Sequence, residues 1–232
     1  MILAQSQYSQ VLQQLIREVQ ERAFHPFVQE YVTYPPINKL QLHLTYLFLT
    51  SIGVSERQKS IIVKSQLFVQ LGLDTHDDVP IVTQEEQAVT TRQLTVLSGD
   101  YFSSYYYLFL AEHNEIDLIQ KWAKAIQEMN ELKMELHVNK AVFSETEYRY
   151  KLDKLKALLT EHVLSWFQAE EKWFQMNSLL TQLSFWKDID ENERQIDGLL
   201  AEINALLKGF SSESIQNELS LWLDGSQTTH SC

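Results

Sequence analysis

With 232 residues and 27.2 kDa, the chain is long enough to bury one large core, since single domains of roughly 200 residues are ordinary. Its 19 Lys and Arg against 31 Asp and Glu give a net charge of −12, which repels nucleic-acid backbones and anionic lipid surfaces at long range. Six Gly and four Pro are too few and too widely spaced for a sandwich or barrel that needs frequent tight turns.

An all-α, single-domain helical bundle is therefore expected over residues 1–224, with 225–232 (GSQTTHSC) as a flexible C-terminal tail. The single cysteine, Cys232, sits in that tail and has no internal disulfide partner, as expected in a reducing compartment. MILAQSQYSQ lacks the basic start and apolar stretch of a signal peptide, and no apolar run approaches the roughly 18 residues that span a bilayer. These features predict a cytoplasmic protein with no stable membrane anchor and no nucleic-acid partner.

In chain order, Tyr8, Val11, Leu12, Leu15, Ile16 and Val19 recur at three- and four-residue steps and predict a first helix over 4–23, ended by His25-Pro26. A short helix over 27–32 follows and stops at Tyr34-Pro35-Pro36. A third runs from a cap at Asn38 to Ser51, closed by Gly53, and a fourth opens at Ser55 and leads to the acidic cluster Asp74, Thr75, His76, Asp77, Asp78. The next, over 94–111, is the most apolar, with Ser98-Gly99-Asp100 as an interruption. Leu94, Leu97, Tyr101, Leu108 and Ala111 form one apolar side of it, and Phe102, Tyr105, Tyr106 and Phe109 widen that side.

An amphipathic helix over 115–137 comes next. From Tyr148 to Leu183 apolar residues then alternate steps of four and three, a heptad seam for about five heptads that suits lengthwise packing against a neighbour in the same or another chain. His162, the polar member of this seam, is expected to be a hydrogen-bonded core histidine. The last two helices are predicted over 191–207, ended by Lys208-Gly209, and after a cap at Ser211.

The acidic cluster supports two readings. Adjacent Asp77 and Asp78, with Asp74 a turn earlier, could gather magnesium if the helix runs through them. Alternatively, Asp74, Thr75 and Asp78 cap the ends of two helices, with Pro80 near the start of the second. Gly99 inside a helix suggests close approach by another backbone, and Asp100 beside it should then be hydrogen-bonded.

LDTHDDV at 73–79, QLTVLSGDYFSSYYY at 93–107 and HPFVQEY at 25–31 together resemble the trans-prenyl diphosphate synthases. The closer resemblance is to the small, non-catalytic subunit, component I, of two-component heptaprenyl diphosphate synthases. That resemblance implies a degenerate trans-prenyl synthase fold. It also implies an accessory subunit that pairs, as a heterodimer or higher hetero-oligomer, with a catalytic prenyl diphosphate synthase subunit. Together they would extend farnesyl diphosphate with isopentenyl diphosphate for the menaquinone side chain.

Departures from the catalytic pattern bear on mechanism. The family's DDxxD would place a third Asp at Ile81, no Lys or Arg occurs between Lys64 and Arg92, and Asp188 and Asp190 do not form a second such motif. The expectation is no catalytic residue, metal or cofactor in this chain, with Mg2+ held by the catalytic partner. Asp74, His76, Asp77 and Asp78 would be a degenerate acidic motif. Gly99, Asp100, Tyr101, Phe102, Tyr105 and Tyr106 would form the surface for the partner or the prenyl chain.

Two alternatives come from other classes. One is a structural adaptor associating through the 148–183 seam. The other is an HD-type metal phosphohydrolase built on His76-Asp77, with His43 and Asp100 or Asp117 as further ligands.

Overall fold

The computed structural model describes residues 5–23, 25–79, 86–189 and 193–224. Among these residues the chain forms helices and no strand. They are α1 (Ser9–Ala23), α2 (Pro26–Tyr31), α3 (Lys39–Ser51), α4 (Glu56–Asp77), α5 (Glu86–Glu112), α6 (Ile116–Val138), α7 (Glu145–Trp166), α8 (Glu171–Ile189), α9 (Glu193–Leu207) and α10 (Glu213–Asp224). The all-α expectation holds. The C-terminal tail and Cys232 lie outside the described residues.

Most helix ends follow local sequence signals. Pro26 starts α2 because its missing N–H is no loss at a helix N-terminus, and His25 Nδ1 accepts from Phe27 N–H at 3.3 Å. Gly53, at φ 73°, closes α3 through Val54 N–H to Leu49 O at 3.0 Å. Ser55 Oγ then accepts from Gln58 N–H and caps α4. Ser144 and Glu147 form a reciprocal capping box at the start of α7. At α10 the cap falls on Ser212, which accepts from Ile215 N–H, and not on the expected Ser211.

Two compact units divide the chain. One comprises Met1–Leu12, Lys39–Val54 and Gln127–Cys232, the other Gln13–Asn38 and Ser55–Ile126. In the first, α3 is buried on every side from Leu40 to Leu49. Phe48 meets the edges of Phe167 and Trp173 there, and Gln41 donates to Asn177 and Thr181, each at 3.1 Å. A polar cluster ties the chain's start to α3 and α10. Glu218 accepts from Ser6 Oγ at 2.6 Å and Gln7 N–H at 2.9 Å, and His43 Nε2 lies 2.8 Å from it. His162 is hydrogen-bonded as expected, to Glu128 at 3.0 Å.

The long seam is not one helix. It breaks at Phe167 to Glu170, where Gln168 takes φ 51°, Gln168 N–H bonds Ser165 O, and Ala169 N–H bonds Leu164 O at 2.9 Å. This is the glycine-type helix stop built without glycine, so the sequence carries no breaker to reveal it. The two halves become α7 and α8, which pack on each other within the unit. Leu159, Trp173, Met176, Leu180 and Leu183 are buried within the unit, Trp173 against Phe48 and Phe210, which removes the continuous intermolecular seam the adaptor reading needs.

In the second unit α4 and α5 run antiparallel, with Gly72 facing Ser103 and His76 facing Gly99. Phe68 stacks on Tyr105 with ring centroids 5.5 Å apart and packs against Phe109 at 5.7 Å. Trp122 of α6 is buried and donates to Ser65 Oγ at 2.8 Å. α2 lies against α5 on another side.

Candidate functional site

α5 begins earlier than expected and passes through Ser98-Gly99-Asp100 without a break. An apolar helix with small residues in its middle can approach a neighbour closely. The approach takes two forms. A Cβ on Gly72 would stand 3.0 Å from Ser103 N and 3.2 Å from its Cα, so there the backbones themselves come together. At Gly99 the neighbour is a side chain, not the backbone expected: a Cβ would stand 2.6 Å from His76 Cε1 and 2.7 Å from both ring nitrogens.

This antiparallel register carries the acidic end of α4 to the middle of α5. Thr75 is buried and donates to Leu71 O at 2.7 Å, while Asp77 and Asp78 are exposed. Asp78 is the C-cap of α4, its N–H bonded to Asp74 O at 3.2 Å. Carboxylates gather here at the negative end of the helix dipole, where they do not favour the helix. His76 Nε2 lies 3.4 Å from Asp100 Oδ1, and the Asp100 side chain is 67% exposed, so its partner is an imidazole at the surface and not a buried donor.

Pro80 and Ile81 lie outside the described residues, as do Asp190 and the side chain of Asp188. Among the described residues no three His, Cys, Asp or Glu side chains are gathered in a way that could hold a metal ion. Among the described residues, Asp74, Asp77 and Asp78 come from the end of one helix with no opposed carboxylate set, which does not fit the octahedral oxygen shell of magnesium bridged to diphosphate.

The aromatic members of the expected surface divide by helical phase. Phe102 and Tyr106 are buried in the core. Tyr34 packs on Phe102 at 5.1 Å, and burial, then the neighbouring Tyr107 hydroxyl, pushes the Tyr106 phenol well above its ordinary pKa. Tyr101 and Tyr105 are half-buried, their hydroxyls 2.8 Å apart; burial, then the bond to Tyr105, pushes Tyr101 up to about 12. Leu97 and Leu108, expected on a buried side, are 61% and 51% exposed. With Phe27, Val28, Val32, Leu94 and Tyr101, Leu97 lines an apolar cleft of about 280 Å³ between α2 and α5.

The hydrolase reading loses its upstream histidine. His43 Nδ1 accepts from Trp222 Nε1 at 2.9 Å and Nε2 faces Glu218, so neither ring nitrogen is available to a metal. Ser6, His43 and Glu218 also do not form a nucleophile relay, because serine and histidine both converge on the same carboxylate oxygen.

Comparison with known proteins agrees with this architecture. A crystal structure of a decaprenyl diphosphate synthase from Rhodobacter capsulatus superposes with TM-score 0.58, covering 97% of this chain and 84% of that one at 15% identity, which places the chain in the same all-α isoprenoid synthase fold. Heptaprenyl diphosphate synthase component 1 of Geobacillus stearothermophilus is 39% identical over 90 residues, a segment that spans 39% of this chain and 39% of that protein. The profile of heptaprenyl diphosphate synthase (HEPPP synthase) subunit 1 matches residues 25–219, and the chain belongs to that family.

Proposed function

We propose that this protein is the non-catalytic subunit of a two-component heptaprenyl diphosphate synthase. It pairs with a catalytic subunit that carries both aspartate-rich motifs and magnesium. The observation that carries this reading is the electrostatics of the acidic end of α4. No Lys or Arg occurs between Lys64 and Arg92, and the group that meets Asp100 is an imidazole. A diphosphate brought here would meet carboxylates without the cations that such a group requires. Membership of the subunit 1 family and the synthase fold support the same reading.

On this reading the partner ionises the allylic diphosphate, isopentenyl diphosphate attacks the cation, and a proton is lost, all on residues of the partner. The product would be the precursor of the menaquinone side chain. This chain stabilises the active form of its partner and adds apolar bulk through α5, which helps set product length. Activity with farnesyl diphosphate, labelled isopentenyl diphosphate and magnesium is expected only when this chain and a synthase-like subunit are mixed. Activity from this chain alone, or a mixture no better than its parts, would overturn the proposal.

A further inference from the structure

Two segments of the first unit are held by little apolar surface. In α10, Glu218 and Leu219 are buried, while Ile215, Leu221, Trp222 and Leu223 are only half-buried. Across residues 5–8, Ser6 is buried between exposed Gln5 and Gln7, and Tyr8 leans on Tyr46 with ring centroids 5.3 Å apart. Both segments are tied down through one carboxylate instead. Glu218 Oε2 accepts from Ser6 Oγ and His43 Nε2, and its Oε1 accepts from Gln7 N–H. Gln7 Nε2 also donates to Ser214 Oγ, one turn earlier on α10, at 2.7 Å. Three donors offset much of the cost of burying that carboxylate, so its partners hold one another in place.

His43 forms the floor of this network, its side chain 1% exposed. Trp222 Nε1–H donates to Nδ1 at 2.9 Å, so the proton of the neutral ring is on Nε2, toward Glu218. A second proton has to enter at Nδ1, where the indole N–H already points, and it displaces Trp222. We propose that the network is an acid-released clasp: a proton taken up by His43 frees Trp222, and α10 and residues 5–8 then detach together while the rest of the unit stays folded.

What else packs on α3 makes the release local. α7 and α8 meet it through groups that do not titrate, Thr160 on Thr45 and Asn177 and Thr181 on Gln41, and through Phe167 and Trp173 on Phe48. On the α10 side, Glu218 is the group whose charge acts on His43, and burial of the ring outweighs it. Glu213 lines the cleft of about 450 Å³ beside Glu218, and Lys187 of α8 donates to the carbonyls of Trp222 and Leu223. Those two act on α10 and its cleft and make no hydrogen bond to the imidazole. Segments with so little buried apolar surface open at the low end of a protein's range of local stabilities.

Hydrogen exchange of the full chain at pH 8 and pH 5.5, read by mass spectrometry as protection factors, tests the clasp. A proton bound at about pH 6.5 in the open form only favours opening about tenfold at pH 5.5. Peptides covering 5–12 and 213–224 are therefore expected to lose about tenfold in protection on acidification, while those of α3, α7 and α8 keep theirs. His43→Gln should hold both segments at either pH. Trp222→Phe removes the N–H from Nδ1 and should raise the pH at which the His43 ring resonance titrates. Circular dichroism verifies the fold of each variant. Equal losses across α3, α7 and α8, or none in the two segments, would overturn the proposal. So would a loss in His43→Gln as large as in wild type, or a His43 titration unmoved by Trp222→Phe. None of these readouts involves prenyl transfer, so the proposed function and the clasp stand or fall separately.

Discussion

The imidazole of His76 occupies the space that a side chain at Gly99 would fill, with Cε1 2.6 Å and both nitrogens 2.7 Å from the missing Cβ. The ring is at the far end of a side chain that is 36% exposed, so it can swing outward. Gly99→Ala is therefore expected to change stability by less than about 1 kcal/mol, the helix-propensity gain of about 1 kcal/mol offsetting the displaced ring. The His76–Asp100 contact should be lost. Urea unfolding reads the first effect and the His76 ring resonances the second.

Gly72 makes the opposite case. The atoms a Cβ would meet include Ser103 N and Cα, which move only if α5 moves. Gly72→Ala should cost about 1 to 3 kcal/mol in urea unfolding despite the better helix former, because it forces the α4–α5 backbones apart. An unchanged unfolding midpoint would contradict the close approach.

His43 makes stability depend on pH. Burial is the largest cause holding its pKa below the ordinary 6.5, opposed by Glu218, and the Trp222 N–H leaves no room for a proton on Nδ1. The unfolded chain therefore binds a proton that the folded chain does not, and this contribution, full above about pH 6.5, is lost as pH falls below it. The melting temperature should fall on acidification through that range. His43→Gln keeps a donor for Glu218 and an acceptor for Trp222 without titrating, and should flatten the slope.

Gln168 holds a left-handed conformation at φ 51° where α7 ends. Gln168→Gly should stabilise the protein by up to about 1 kcal/mol, because glycine adopts this region without a side-chain clash. Thermal or urea unfolding detects the change. A loss of stability would show that the glutamine side chain contributes more than its backbone strain costs.

Much of the fold was legible because helix ends are written locally. Gly53 and Ser55 act through their own backbone or side chain, and each fell where expected, while Pro26, expected to end the first helix, opens α2. A close approach at Gly99 was expected, but that its neighbour is the His76 ring and not a backbone was not. The face of α5 was not legible, because a helix apolar almost all round has no preferred side. Only the packing of Phe102, Tyr106 and Phe109 inward shows that Leu97 and Leu108 point out. The α7–α8 break was hidden because a non-glycine residue took the left-handed turn. The link between His43 and Glu218, 175 residues apart, leaves no periodic trace in either helix.

On the proposed function, Asp74, Asp77 and Asp78 perform no chemistry. We would replace all three with Asn, confirm the melting temperature, and measure isopentenyl incorporation in the mixture with the catalytic subunit. Turnover within about twofold of wild type is expected, because in the proposed complex the partner supplies the metal-binding carboxylates. A loss of the roughly 100-fold or more expected on removing groups that act in the transition state would contradict it.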